Sequence, residues 1–140
     1  MKKTLALVFA ACVVLMAAAP AWAHHAFAAE FDANKPVKFK ATVVKMEWIN
    51  PHAWIRVDVK GEDGKVTQWM IEAAAPNALL RRGWTKDSLL AGTEINIESF
   101  QAIDETNKAN GSIITLTDGR KLFVGSAAGD AGAAPGAPAK

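Results

Sequence analysis

Between Val37 and Val124 apolar side chains recur mostly at every second position, the period of a half-buried β-strand. Val37, Phe39, Ala41 and Val43 alternate with polar residues, and Val44, Met46 and Trp48 then alternate on the opposite phase. A slip of one residue turns every later side chain to the other face, so a β-bulge or sharp coil is expected inside a long first strand. Asn50-Pro51 ends it. Ile55, Val57 and Val59 carry a second strand, and Gly61-Glu62-Asp63-Gly64 makes a hairpin turn. A third strand runs from about Val66 to Glu72, with Trp69 and Ile71 on one face.

The period then changes. Pro76-Asn77-Ala78-Leu79-Leu80-Arg81-Arg82-Gly83 has proline near a helix start, arginine in the last turn and glycine just past the end. It predicts one short helix, extended by a turn over Thr85 to Leu89. A fourth strand is expected from Glu94 to Ala102, with Ile95 and Ile97 inward, and a polar loop from Ile103 to Gly111. Ser112 to Leu116 makes a fifth strand, Asp118-Gly119 a tight turn, and Lys121 to Val124 a last short strand. Three strands, a short helix and two strands is the chain order of an OB-like barrel. The expected fold class is therefore all-β: a small OB-like barrel of five to six strands, with one short helix between strands three and four. A small β-sandwich is the competing architecture.

The two ends of the chain have a different composition. Lys2 and Lys3 precede an uncharged run from Leu5 to Ala19, long enough for a signal peptide but short for a membrane span. Ala21-Trp22-Ala23 is a small-x-small cleavage box, so residues 1–23 are expected to be removed before His24. The processed chain is then periplasmic or secreted, with no stable membrane insertion. Its expected parts are an N-terminal arm at 24–36, the β-domain at 37–124 and a disordered Ala/Gly/Pro tail at 125–140. Of the 16 basic residues, Lys2 and Lys3 lie in the leader, so the processed chain balances its 14 acidic residues and is formally neutral. Neutrality removes the electrostatic reason to expect nucleic acid or an anionic membrane as partner. Cys12, the single cysteine, also lies in the leader, which excludes disulfides and thiolate chemistry from the processed chain.

Three histidines remain, His24, His25 and His52. Cleavage gives His24 a free α-amine, and that amine with its own Nδ1 can close a chelate on one metal ion. The amine has a pKa near 8, so a strongly binding cation displaces its proton at neutral pH. Nitrogen donors in a tetragonal arrangement favour Cu(II). A third nitrogen from His52 completes a T-shaped histidine brace, for which His25 competes through a looser second-position chelate. Against this stands the plain reading of a solvated His-His start and an ordinary loop histidine. Zinc is disfavoured, since its structural sites usually have four protein ligands.

His52 lies in Trp48-Ile49-Asn50-Pro51-His52-Ala53-Trp54, a loop that proline stiffens and tryptophans flank. Trp48, Asn50 and Trp54 can rim a site for a small ligand or an envelope protein, although tryptophans that plug the barrel end are the favoured reading. Arg82 and Trp84 in Arg81-Arg82-Gly83-Trp84 are further contact candidates, with Glu72 or Asp87 as the natural partner of an arginine. The G-x-S-x-G elbow, the phosphate-cradling loop and the H-E-x-x-H helix are absent, and carboxylates such as Glu47, Asp58 and Glu72 do not pair into a site by sequence. The chain thus reads as a binding module before an enzyme.

His24-His25-Ala26-Phe27, Glu30-Phe31-Asp32, the NPHAW segment at 50–54, the LLRRGW segment at 79–84 and Asp118-Gly119-Arg120-Lys121-Leu122-Phe123 resemble a family of small exported bacterial proteins known only as a domain of unknown function. The resemblance spans roughly residues 24–126 and implies a periplasmic or secreted β-domain, with no activity, substrate or cofactor attached. That family often has Ser after the His pair, where this chain has Ala26. Three readings follow: a binding module holding Cu(II) through His24 and His52, a metal-independent envelope interaction domain using the Trp48–Trp54 loop, and a copper-dependent oxidative enzyme built on the same brace.

Overall fold

The computed structural model describes residues 27–125, so the expected leader at 1–23, the His24-His25 start and nearly all of the expected tail lie outside the described residues. A long strand β1 (Phe31–Glu47) is followed by β2 (Trp54–Lys60), β3 (Val66–Glu72), a short helix α1 (Pro76–Arg81), β4 (Glu94–Ala102), β5 (Lys108–Leu116) and β6 (Lys121–Phe123). β1 serves two neighbours. Its residues from Pro36 to Thr42 pair with β4, and those from Thr42 to Glu47 pair with β2. The register shifts between Val43 and Lys45, at the phase slip in the apolar pattern.

All six strands belong to one sheet in the order β3-β2-β1-β4-β5-β6, so the sandwich alternative falls. Every pairing is antiparallel except one. β3 and β5 run parallel through Met70↔Lys108, Ile71↔Ala109 and Glu72↔Asn110, and that short seam closes five strands into a ring. The architecture is thus mainly β, a closed OB-like ring with α1 between its third and fourth strands. Ile55, Val57, Ile71, Ile95, Ile97 and Ile114 fill the interior, each at 1% exposure or less.

Helix α1 starts at Pro76 and ends where Gly83 takes φ +85°, a conformation glycine adopts without strain. It drives Leu79 and the following Trp84 into the core. Gly111 meets a different demand: a Cβ there would lie 2.7 Å from Val124 Cγ2 and 2.9 Å from Ile71 Cγ2, so only hydrogen fits. No helix among the described residues is long and apolar enough to cross a membrane.

Two boundaries differ from the pattern. β1 begins at Phe31, inside the expected arm, because Phe31 pairs with Ala102 and is buried. β5 begins at Lys108, inside the expected polar loop, because Lys108 to Asn110 form the ring-closing seam. Both extensions are held by backbone partners distant in sequence, which side-chain periodicity does not report.

Candidate functional site

Ile55, Ile71 and Ala109 point into the ring, so their chain neighbours Trp54, Glu72 and Asn110 face outward. These three are successive cross-strand partners, and Phe100 of β4 continues the row beside Asn110. An outward row is normally wet. Here Glu72 is 4% exposed, Asn110 3% and Phe100 9%.

The cover is the start of the described chain. Residues 27–30 form a single helical turn over this face. The Phe27 ring lies 5.8 Å from that of Phe31 and 5.9 Å, edge-on, from that of Phe100. The Ile103 N–H donates to the Glu30 carbonyl at 3.0 Å, and Lys108 Nζ donates to the Glu30 carboxylate. Lys108 also sits 5.8 Å from the centre of the Phe31 ring. Phe31, Phe100 and Ala102 are buried outside the central cluster, as a second, smaller apolar layer under the turn.

His52 reaches the same place from the β1–β2 loop. The Ala53 N–H donates to Ala74 O, Ala73 N–H donates to Ala53 O, and Ala74 N–H donates to Val124 O, which fixes the backbone beside His52 against the end of β3. His52 Nδ1 then lies 2.9 Å from Glu72 Oε1, with side-chain exposures of 38% for His52 and 6% for Glu72. Burial, with the charge of Glu30 adding to it, pushes the Glu72 carboxyl up to about 7 against the pull of Lys108. The Lys108 ammonium is held above its usual range, chiefly by its bond to Glu30. The result is a half-exposed imidazole whose Nδ1 faces a buried carboxyl, with Nε2 as its other ring nitrogen.

An imidazole backed by a carboxylate on one nitrogen is the arrangement in which histidine commonly binds a metal through the other. Among the described residues no three His, Cys, Asp or Glu side chains converge on one point. A metal at His52 therefore needs donors from beyond them, where His24 and His25 lie. Trp48 is half-buried against the core, Asn50 is exposed beside a cis bond to Pro51, and Trp54 is half-buried in the outward row. Trp84 is 4% exposed and packs in the core. Arg82 pairs with neither Glu72 nor Asp87. Its guanidinium donates to Gly125 O at 2.6 Å and lies 4.7 Å over the Phe123 ring, because the helix end faces β6. Pattern reading missed Glu30, Lys108 and Asn110, and offered Glu72 an arginine as partner where the structure gives it His52. The one local signal was an acid closing an apolar strand just before Ala73-Ala74-Ala75-Pro76.

Fold and site together define a small mainly-β domain with a histidine and a buried carboxyl beside the seam that closes its ring. Residues 11–111 match the profile of a family of unknown function, DUF6152, and the chain belongs to that family. No curated protein matches the chain, and no solved structure matches it.

Proposed function

We propose that the processed chain is an exported module that binds one Cu(II) ion through the free amine and imidazole of His24 and through Nε2 of His52. The observation that carries this reading is the His52–Glu72 pair: 2.9 Å from Nδ1 to a carboxyl that is almost wholly buried. Glu72 orients the ring, and the backbone bonds of Ala53, Ala73 and Ala74 hold the loop on which the ring sits. Copper suits a donor set of amine and imidazoles better than the oxygen-preferring divalent ions. The reading includes cleavage before His24, since an amide nitrogen in place of the amine removes the chelate.

The test is a Cu(II) titration by calorimetry and electron paramagnetic resonance, on protein whose mass shows His24 as its first residue. Two variants run beside it: His52→Ala, and a form carrying one extra residue before His24. Tight one-to-one binding with a nitrogen-rich tetragonal spectrum, weakened in both variants, is the expected result. Binding indifferent to both changes would overturn the reading.

A metal-independent alternative has its own support. Met46, Trp48, Leu89 and Leu90 line a groove of about 460 Å³ with Lys86 at its side, and Leu90 is 57% exposed. Exposed apolar surface of this kind is what a protein partner covers. Trp48→Ala would then abolish capture of that partner while leaving copper binding unchanged.

A further inference from the structure

We infer that the edge of β1 from Lys45 to Glu47 docks an extended peptide in which apolar and acidic residues alternate, taken up as an added strand along the groove of Met46, Trp48, Leu89 and Leu90. This rests on the metal-independent alternative above and deepens it, by naming the chemistry of the partner. It is independent of the copper reading.

The edge follows from how β1 is shared. Up to Thr42 the strand pairs with β4, and from Thr42 onward it pairs with β2. On the β4 side the last bonds are those of Val43, whose N–H donates to Thr93 O and whose carbonyl accepts from Gly92. Beyond them, among the described residues, Lys45 to Glu47 have a strand neighbour only in β2. Their N–H and C=O groups that point away from β2 are left without a backbone partner, and an unpaired edge of this kind is a template for another strand. The groove of about 460 Å³ runs along that edge. Lys45 and Met46 both line it, and consecutive strand residues, which point to opposite faces, can share only a space beside the strand. Leu89, Leu90 and Ala91 make the facing wall.

The lining sets the sequence of the guest. Met46 and Trp48 lean on the core and, with exposed Leu90, offer apolar surface to be covered. Lys45 turns to the other face, its side chain half exposed. An added strand alternates in the same way, so one set of its side chains meets Met46 and Trp48 and the other meets Lys45. Charge decides the second set. Lys45 and Lys86 are the charged residues of the lining, and no carboxylate belongs to it. Nearby Glu47 is shared by Lys45 at 2.7 Å and Arg56 at 3.1 Å, so one acid answers two cations. Lys86 enters no ion pair among the described residues. The surplus is positive, and acidic side chains at alternate positions complement it. In strand addition, main-chain bonds supply the affinity and alternate side chains the selection.

The test is an amide NMR titration of the processed chain with a blocked hexapeptide of alternating valine and glutamate. Shifts confined to Lys45–Glu47 and Leu89–Ala91, with slower hydrogen exchange at the edge amides, are expected. The same peptide methylated at every amide nitrogen loses its main-chain donors, and should bind about tenfold or more weakly. A counterpart with lysine in place of glutamate should not bind the wild type. Lys45→Glu combined with Lys86→Glu should reverse that preference, by about tenfold in each direction. Both are surface positions, and protection of the Ile55 and Ile71 amides shows that the ring is intact. Equal binding of the methylated peptide would overturn strand addition and leave the groove as a contact surface. No shift at the edge with any peptide at millimolar concentration would overturn both this proposal and the metal-independent alternative. Two other guests are distinguished in the same spectra. Decanoate, below the concentration at which it forms micelles, occupying the groove where no peptide does would make the guest a fatty carboxylate. Edge shifts on concentrating the protein alone would make it a second copy of this chain. Either result overturns the peptide assignment.

Discussion

The inside of the ring and its outward row solve burial in opposite ways. Inside, Ile55, Val57, Ile71, Ile95, Ile97 and Ile114 belong to a cluster of apolar side chains that also takes in Leu79 and Trp84, and no charge needs a partner. On the outward row Glu72 and Asn110 are buried almost as deeply, but under a single turn of chain and among a lysine, a histidine and a second glutamate. The interior is what makes a small β-ring stable, at roughly 25 cal/mol for each Å² of apolar surface removed from water. The outward row works against stability, since burying a carboxyl without full compensation is costly. A protein keeps such an arrangement where orientation of a side chain is worth more than the stability lost.

Several substitutions test this contrast. The largest effect is expected from Ile71→Ala, which leaves a cavity in the interior and should cost about 2 to 5 kcal/mol in urea unfolding. Glu72→Gln, one residue further on, should do the reverse above neutrality. The unfolded carboxyl titrates near its ordinary value of about 4.3, and the folded one near 7. Below the lower value both states are protonated and the site carries no penalty. As pH rises through the window between them, the unfolded chain gives up its proton first and stability is lost, reaching about 3 kcal/mol once pH passes the folded value. The difference in melting free energy between wild type and Glu72→Gln should therefore grow from pH 4 to pH 8, with the variant the more stable at the upper end. A difference that stays flat would mean that the row is no drier than ordinary surface.

Gly111→Ala probes the boundary between the two regions. Its methyl would press on Val124 and Ile71 inside the ring and lie 3.2 Å from the Glu72 carbonyl, so a loss of about 1 to 3 kcal/mol is expected in thermal melts. Arg82→Ala lies away from both. Removal of its bond to Gly125 O and its stacking on Phe123 should lower stability by only about 1 kcal/mol, and should leave the pH dependence of Glu72 unaltered.

The same contrast explains what could be read from the chain. Interior positions announce themselves, because Ile95-x-Ile97 or Ile55-x-Val57 imposes period two on a run of residues. β2, β3, β4, α1 and the bulge at Val43-Val44 were legible for that reason, and with them the chain order of the ring. The outward row has no such signature. Glu30 and Lys108 stand far apart in sequence, and each alone looks like a solvated charge. Their pairing follows from closure of the ring, which brings β5 beside β3, and from Phe27 folding back on Phe100. His52 was visible as a candidate, but its carboxyl partner depends on Ala53 lying against Ala73 and Ala74, a tertiary contact. Arg82 shows the same limit: its acceptor is a backbone carbonyl, which no residue type marks.

The seam between β3 and β5 has one further consequence. It joins parallel segments over only three residue pairs, and every other strand contact is longer or closes a nearer part of the chain. Of the contacts that make the ring it has the fewest residue pairs, so its opening would break least, and hydrogen exchange at the Met70 amide, bonded across it to Asn107 O, is where that opening is expected to be read.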